Sequence, residues 1–359
     1  MSNISANAPI AGSVRESDLP ESWFRVPPSR ETVPAGAAAA RAFWRDNAVE
    51  VMEAASAGLG RDLGPLIERV RAVDLGRRLS PRLSSRLTGL MDAVGRRDGY
   101  AAIDRLQSWW GDAPETWYDD ELTVDSIALH EWEGPVLHEV RATKIEGAGA
   151  LEFFPTLGRD LGPSRAAVRR ALALIAEVDA DMAAEIGAQV SQVKLFEGRG
   201  MEGLSSPKAF GAIWVRVPEP EQALGWFLEH LVHECSHLHL NALLALDPLL
   251  TNPSEINQAP IRPDPRPMFQ ILHGTFVLAR NIRVHARLHA AHPELGLGPA
   301  LDRFREQYAK GVGVIRAHLK PTARGALLMA SFPEPGVEDA GRSAPKKPAK
   351  PASRGRRRG

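Results

Sequence analysis

The chain has 359 residues, 44% of them hydrophobic, enough to bury a sizeable core in two small domains or one domain with a helical annex. Forty-four Lys and Arg balance 44 Asp and Glu, so no overall field points to nucleic acid or a membrane surface as partner. A single cysteine, Cys235, excludes an intrachain disulfide and a cysteine-built zinc site.

The opening run MSNISANAPIAGSVRES lacks a charged segment followed by an apolar one, so it does not read as a secretion signal. No stretch approaches the roughly 20 apolar residues of a spanning helix. The expectation is a cytoplasmic protein. Residues 1–35, polar and proline-bearing, read as a flexible arm. Residues 36–160 read as a mostly helical region without an assigned role. In it AAAARAFWRDNAVEVMEAASAG sets Ala40, Phe43, Trp44, Val51 and Met52 near one stripe, and Gly58 and Gly60 end the run. Within 115–160 the β-branched runs ELTVDSIALHEW and GPVLHEVRATKI predict short strands.

Pro163 opens a long helix, SRAAVRRALALIAEVDADMAAEIGAQV, and two strand-like runs follow, QVKLFEG and AFGAIWVRV. The turn-rich GRGMEGLSSPK separates them. Residues 218–246 predict the next helix. After the proline-studded loop TNPSEINQAPIRPDPRP come helices over MFQILHGTFVLARNIRVHARLHAAH, LGPALDRFREQYAKGVGVIRAHL and 322–332. The tail 341–359 carries only basic charges and predicts disorder. The fold class is thus mainly α (α+β): a motif helix after a short strand, zincin-like, in a predominantly helical domain of 161–335 with a small sheet.

The chemistry concentrates in His230-Leu-Val-His233-Glu234-Cys235-Ser236-His237, a His-Glu-x-x-His motif in the helix 218–246. Residues four apart on a helix differ by about 40° and one turn of rise, so His233 and His237 project side by side. Two neutral imidazoles held that way chelate one divalent metal. Glu234 flanks that face, placed to act as a base toward metal-bound water or to orient a ligand. The plainer reading is a pair of hydrogen-bonded core histidines, but burying them without a partner costs free energy. His130-Glu131 and His138-Glu139 lack the distal histidine.

Three candidates supply a third ligand. His273 lies on a later helix among Phe269, Leu272, Phe276 and Val277; Glu255 lies in the loop; Asp247 follows the motif helix. In the same loop Arg262 and Arg266 sit on a backbone stiffened by prolines, a setting for bidentate capture of a carboxylate. A structural pairing with Asp264 is the plainer account of the arginines.

In their order, LSSPKAFGAIWVRV, HECSHLHLNALLALDPLL, IRPDPRP and LHGTFVLA resemble the HExxH-motif peptide-modification proteins of ribosomal peptide gene clusters. The resemblance covers about 165–330. It implies an Fe(II)/2-oxoglutarate-dependent dioxygenase, an oxidoreductase that hydroxylates a side-chain β-carbon of a precursor peptide. His233 and His237 would be iron ligands and His273 the third, with Arg266 and then Arg262 receiving the distal carboxylate of 2-oxoglutarate. AFGAIWVRV would take the extended peptide by strand addition. The partner implied is a precursor peptide, with no nucleic acid and no membrane. The alternatives are a zinc metallopeptidase, with Glu234 as base and Glu255 as a possible ligand, and a non-catalytic peptide-binding protein.

Overall fold

A computed structural model describes residues 20–128, 132–142, 151–259 and 264–337. Among these residues the chain is mainly α, with eleven α-helices, a four-stranded sheet and a separate two-stranded ribbon. None of the helices is long and apolar enough to cross a membrane.

The first helices, α1 (Val33–Leu59), α2 (Gly64–Arg71), α3 (Pro81–Gly95) and α4 (Gly99–Trp110), enclose their own core of Met52, Leu66, Val70, Leu83, Leu87 and Trp109. Local chemistry marks their ends. Prolines stand in the first turns of α2 and α3, and Asp98 caps α4 by accepting from the Ala101 N–H. Gly60, at φ 59°, ends α1 in the left-handed conformation that glycine adopts without strain.

The sheet holds β1 (Thr123–Ser126), β2 (Gln192–Phe196), β3 (Gly203–Ser205) and β4 (Ala212–Arg216) in the order β1-β2-β4-β3. β1, β2 and β4 run parallel, and β3 is antiparallel to β4. The helices α5 (Glu133–Ala142), α6 (Gly162–Val178) and α7 (Ala180–Gln189) all fall between β1 and β2 in sequence. β4 is buried on both faces, as its unbroken AIWV run requires.

The C-terminal part is α8 (Ala223–Leu246), the ribbon β5 (Ile256–Asn257) with β6 (Arg266–Pro267), then α9 (Met268–Ala291), α10 (Gly298–His318) and α11 (Ala323–Ala330). α8 faces two cores at once. On one side Leu231, Val232 and Cys235 meet Val193, Ile213 and Val215 of the sheet and Val168 and Ile186 of α6 and α7. On the other Leu240 and Leu243 meet Leu272, Phe276, Phe304 and Ile315. A helix covered on both sides is apolar nearly all round.

Several expectations are corrected. Residues 20–35, expected in a loose arm, place Trp23, Phe24, Val26 and Val33 in the α8–α11 core. Gly36 in α1 makes room for Trp23, since a Cβ there would collide with the indole. GPVLHEV lies in the helix α5, not a strand: Val136, Leu137 and Val140 fall on one helical face against Phe153 and Trp214. A boundary at residue 160 would cut β1 from its own sheet. The long helix after Pro163 breaks at Asp179, which leaves helical geometry and caps α7 through the Met182 N–H. The turn-rich run holds β3, and the motif helix starts at 223 after a 3-10 turn at Pro220–Gln222. The tail 341–359 and His130-Glu131 lie outside the described residues.

Below α8 sits a buried polar cluster. Glu185 of α7 pairs with Arg280 of α9, and Arg280 Nε donates to the Val26 carbonyl at 2.8 Å. His239 of α8 brings Nδ1 within 3.2 Å of Glu185, and its ring lies 4.4 Å from Trp23. Removing one partner of a buried pair leaves the other charged and uncompensated. Glu185→Ala should therefore lose about 3–5 kcal/mol in urea unfolding. A loss below about 1 kcal/mol would mean that the pair is solvated, as surface pairs are.

Candidate metal centre

From Phe227 to Leu243 every side chain of α8 is buried except Glu229, His233, His237 and Asn241. These four share a spacing of four residues, so they form a single slowly drifting line along the helix. The motif histidines are the middle two. On α9 the partly exposed positions near the N-terminus include His273 and Gly274. The packing of α8 on α9 brings the open line and His273 together.

His233 Nε2 and His237 Nε2 are 3.2 Å apart, and His237 Nδ1 lies 3.4 Å from His273 Nδ1. Phe269 stands edge-on to the His273 ring at 6.3 Å, one helical turn away. Burial pushes all three imidazoles down: His233 well below its usual value, His237 to about 3 with His273 adding to the effect, and His273 to about 4. All three are neutral at pH 7, the state in which imidazole ligates metal.

For metal–nitrogen bonds of about 2.1 Å, two ligands of one ion sit about 3.0–3.4 Å apart. The His233–His237 separation of 3.2 Å fits that bite. His273 is adjacent but approaches the other nitrogen of His237. Among the described residues, accordingly, no three His, Cys, Asp or Glu donors converge on one point. The pair fits a metal as it stands, and a rotation of the His273 side chain is needed to complete a triad.

Glu234 is buried beside the pair. The Ser205 hydroxyl of β3 donates to Glu234 Oε2 at 2.9 Å, and burial raises the carboxyl to about 8 against that hydrogen bond. β3 crosses α8 at this turn because Gly203 lacks a side chain: a Cβ there would collide with Glu234 Oε1 and come within 2.8 Å of His230 Cδ2. His230 is held away from the metal face, with its Nδ1–H on the Trp226 carbonyl at 2.9 Å and its ring stacked on Trp226 at 4.2 Å.

The other candidates divide. Asp247 caps the end of α8 and accepts from the Leu249 N–H at 2.6 Å and the Thr322 hydroxyl at 2.6 Å. Ten residues past His237, it is about 15 Å along the helix from the metal pair. Glu255 is engaged by Asn252 at 2.9 Å and Lys320 at 3.4 Å. Arg266, in β6, pairs with Asp264, the plainer of the two readings. A dicarboxylate there must compete with Asp264. Arg262 lies outside the described residues. The Ser205–Glu234 contact is the one least visible in the sequence, where Ser205 falls in a turn-rich run. Its neighbour Ser206 caps the 3-10 turn Pro207–Ala209.

No protein-family model matches the chain, and no curated protein matches it.

The shifted groups make opposite contributions to stability in chelator-treated protein. His237 and His273, depressed from 6.5, contribute stability that is present above 6.5 and lost as pH falls toward 4. Glu234, raised from 4.5, contributes stability that is full below 4.5 and lost as pH rises through 8. The thermal midpoint should drop between pH 6.5 and 4, and Glu234→Gln should flatten any decline between pH 5 and 8. An equally steep decline in that variant would remove Glu234 as its source.

Proposed function

We propose that the chain is a metal-dependent oxygenase acting on a ribosomally made peptide, with His233, His237 and His273 as the ligands of Fe(II) and 2-oxoglutarate as cosubstrate. The observation that carries the metal part is the row of three neutral, adjoining imidazoles at the open line of an otherwise buried helix. The cosubstrate and the peptide rest on the resemblance of the motif blocks. When bound, Fe(II) with 2-oxoglutarate and dioxygen supplies the oxidising power for hydroxylating a C–H bond.

The chain's own residues bind, orient and exclude water. His233 and His237 are preset by helical backbone bonding, so little ordering cost remains when a cation arrives. His273 stands against His237 from α9, with Phe269 edge-on to its ring. Ser205 holds the Glu234 carboxyl at its β3 side, with the stacked rings of Trp226 and His230 on the preceding turns. Arg266, released from Asp264, would receive the distal carboxylate bidentately.

A zinc peptidase is the second reading. The position of Glu234 next to His233 favours it, since a carboxylate there, once ionised, is placed to act as a base on a metal-bound water.

Anaerobically purified chain titrated with Fe(II) should bind one equivalent. With 2-oxoglutarate and oxygen it should release succinate, and a peptide encoded next to its gene should gain one oxygen atom. Hydrolysis with zinc alone, abolished by Glu234→Gln, would move the assignment to the peptidase. His273→Ala should weaken metal binding by more than about a hundredfold, beyond what loss of an outer-shell partner costs. Unchanged affinity in that variant would place the third donor elsewhere.

A further inference from the structure

The expected docking strand, AFGAIWVRV, cannot add a peptide: its strand β4 is already paired on both sides, by β2 and by β3. The sheet instead ends at β3. We infer that an extended peptide segment binds along the outer edge of β3, through the backbone groups of Gly203 and Ser205, and is thereby laid over the His233–His237 turn. This rests on the peptide-oxygenase reading and names how that site takes its substrate.

The register of the β3–β4 ladder decides which groups are available. The Arg216 N–H donates to the Glu202 carbonyl at 2.9 Å, so Glu202 and, two residues on, Leu204 direct their backbone groups to β4. The N–H and C=O of Gly203 and Ser205 therefore point away from it. Among the described residues no backbone bond reaches these four groups, and both residues are partly exposed. Open strand edges are templates for pairing and are ordinarily blunted by charge, proline or cover. β3 is short, with three residues, but its two outward-facing positions, Gly203 and Ser205, carry neither charge nor proline.

Position links this edge to the histidines. Gly203 and Ser205 face α8, with Gly203 pressed on His230 and Glu234 and Ser205 bonded to Glu234. β3 thus covers the 230–234 turn and leaves His233 and His237 open beside it. A strand added about 4.8 Å beyond β3 lies over that open line, and every second side chain points at it. The edge groups bind main chain, so affinity tolerates many sequences, provided the peptide is extended and has no proline at the paired positions. A folded helical partner does not meet that requirement.

The test uses a phage-displayed library of random dodecapeptides panned on the full chain, with the selected peptides then synthesised. They should bind the wild type and Ser205→Ala within about threefold of each other, because alanine keeps the outward N–H. Binding to Ser205→Pro, which lacks that N–H, should be about five- to tenfold weaker, the loss of one backbone hydrogen bond. Amide exchange at Gly203 and Ser205 should slow when peptide is bound, and this measurement on the wild type decides the matter if the proline variant fails to fold. A library that yields no binder, binders indifferent to Ser205→Pro, or unchanged exchange at those two amides would overturn the proposal. Metal content is measured on the same samples. Peptide held on β3 by a chain that binds no metal defeats only the oxygenase reading, and a metal-loaded chain with unprotected β3 amides defeats only this one.

Discussion

The removal of α8 from water on two sides is the constraint on which the rest of the molecule depends. With the sheet, α6 and α7 on one flank and α9 to α11 on the other, the helix has almost no surface left. Ionised groups in such a place are disfavoured, so its histidines are held neutral by desolvation rather than by neighbouring charge. That is the electronic state needed for ligation. The same packing fixes the backbone rigidly, so the nitrogen separation of 3.2 Å is a property of the fold and not of a flexible loop.

One consequence is a division of labour around the helix. His233 and His237 occupy the open line, His230 is turned back onto Trp226 and its carbonyl, and His239 joins Glu185, Gln189 and Trp23 on the far side. Burial lowers the His239 pKa well below the usual value, with Arg280 adding to the effect. Four imidazoles within ten residues thus occupy three unlike settings, separated by their azimuth on the helix. The metal-ligand candidates are the pair that the packing leaves partly exposed.

The motif helix, its strand-like predecessor and the helices after the arginine loop were legible because long periodic segments and a five-residue motif leave little freedom of interpretation. His273 was legible as a candidate by its apolar neighbours. What was not legible was short or non-local. β3 has three residues and begins with glycine, so no alternation can establish itself, and the Ser205–Glu234 contact across it went unread. α5 was mistaken for a strand because Val136 and Val140 are β-branched, although with Leu137 they also mark one helical face. The buried stretch at Trp23, Phe24 and Val26 was hidden among prolines, yet three large apolar side chains so close together in a supposed arm were a signal. The Glu185–Arg280 pair, 95 residues apart in sequence, had none.

The docking of residues 20–26 also constrains the order in which the molecule can assemble. Val26 gives its carbonyl to Arg280 and takes its own N–H partner from Ser331, closing separations of 254 and 305 residues. Contacts of such span form late, since their loop entropy must be overcome after the nearer helix pairs have met. On a ribosome this apolar stretch emerges well before Arg280 and Ser331, its partners. Trp23 and Phe24 must therefore wait, unsheltered, until α9 to α11 have been made, and only then can the native core close around them.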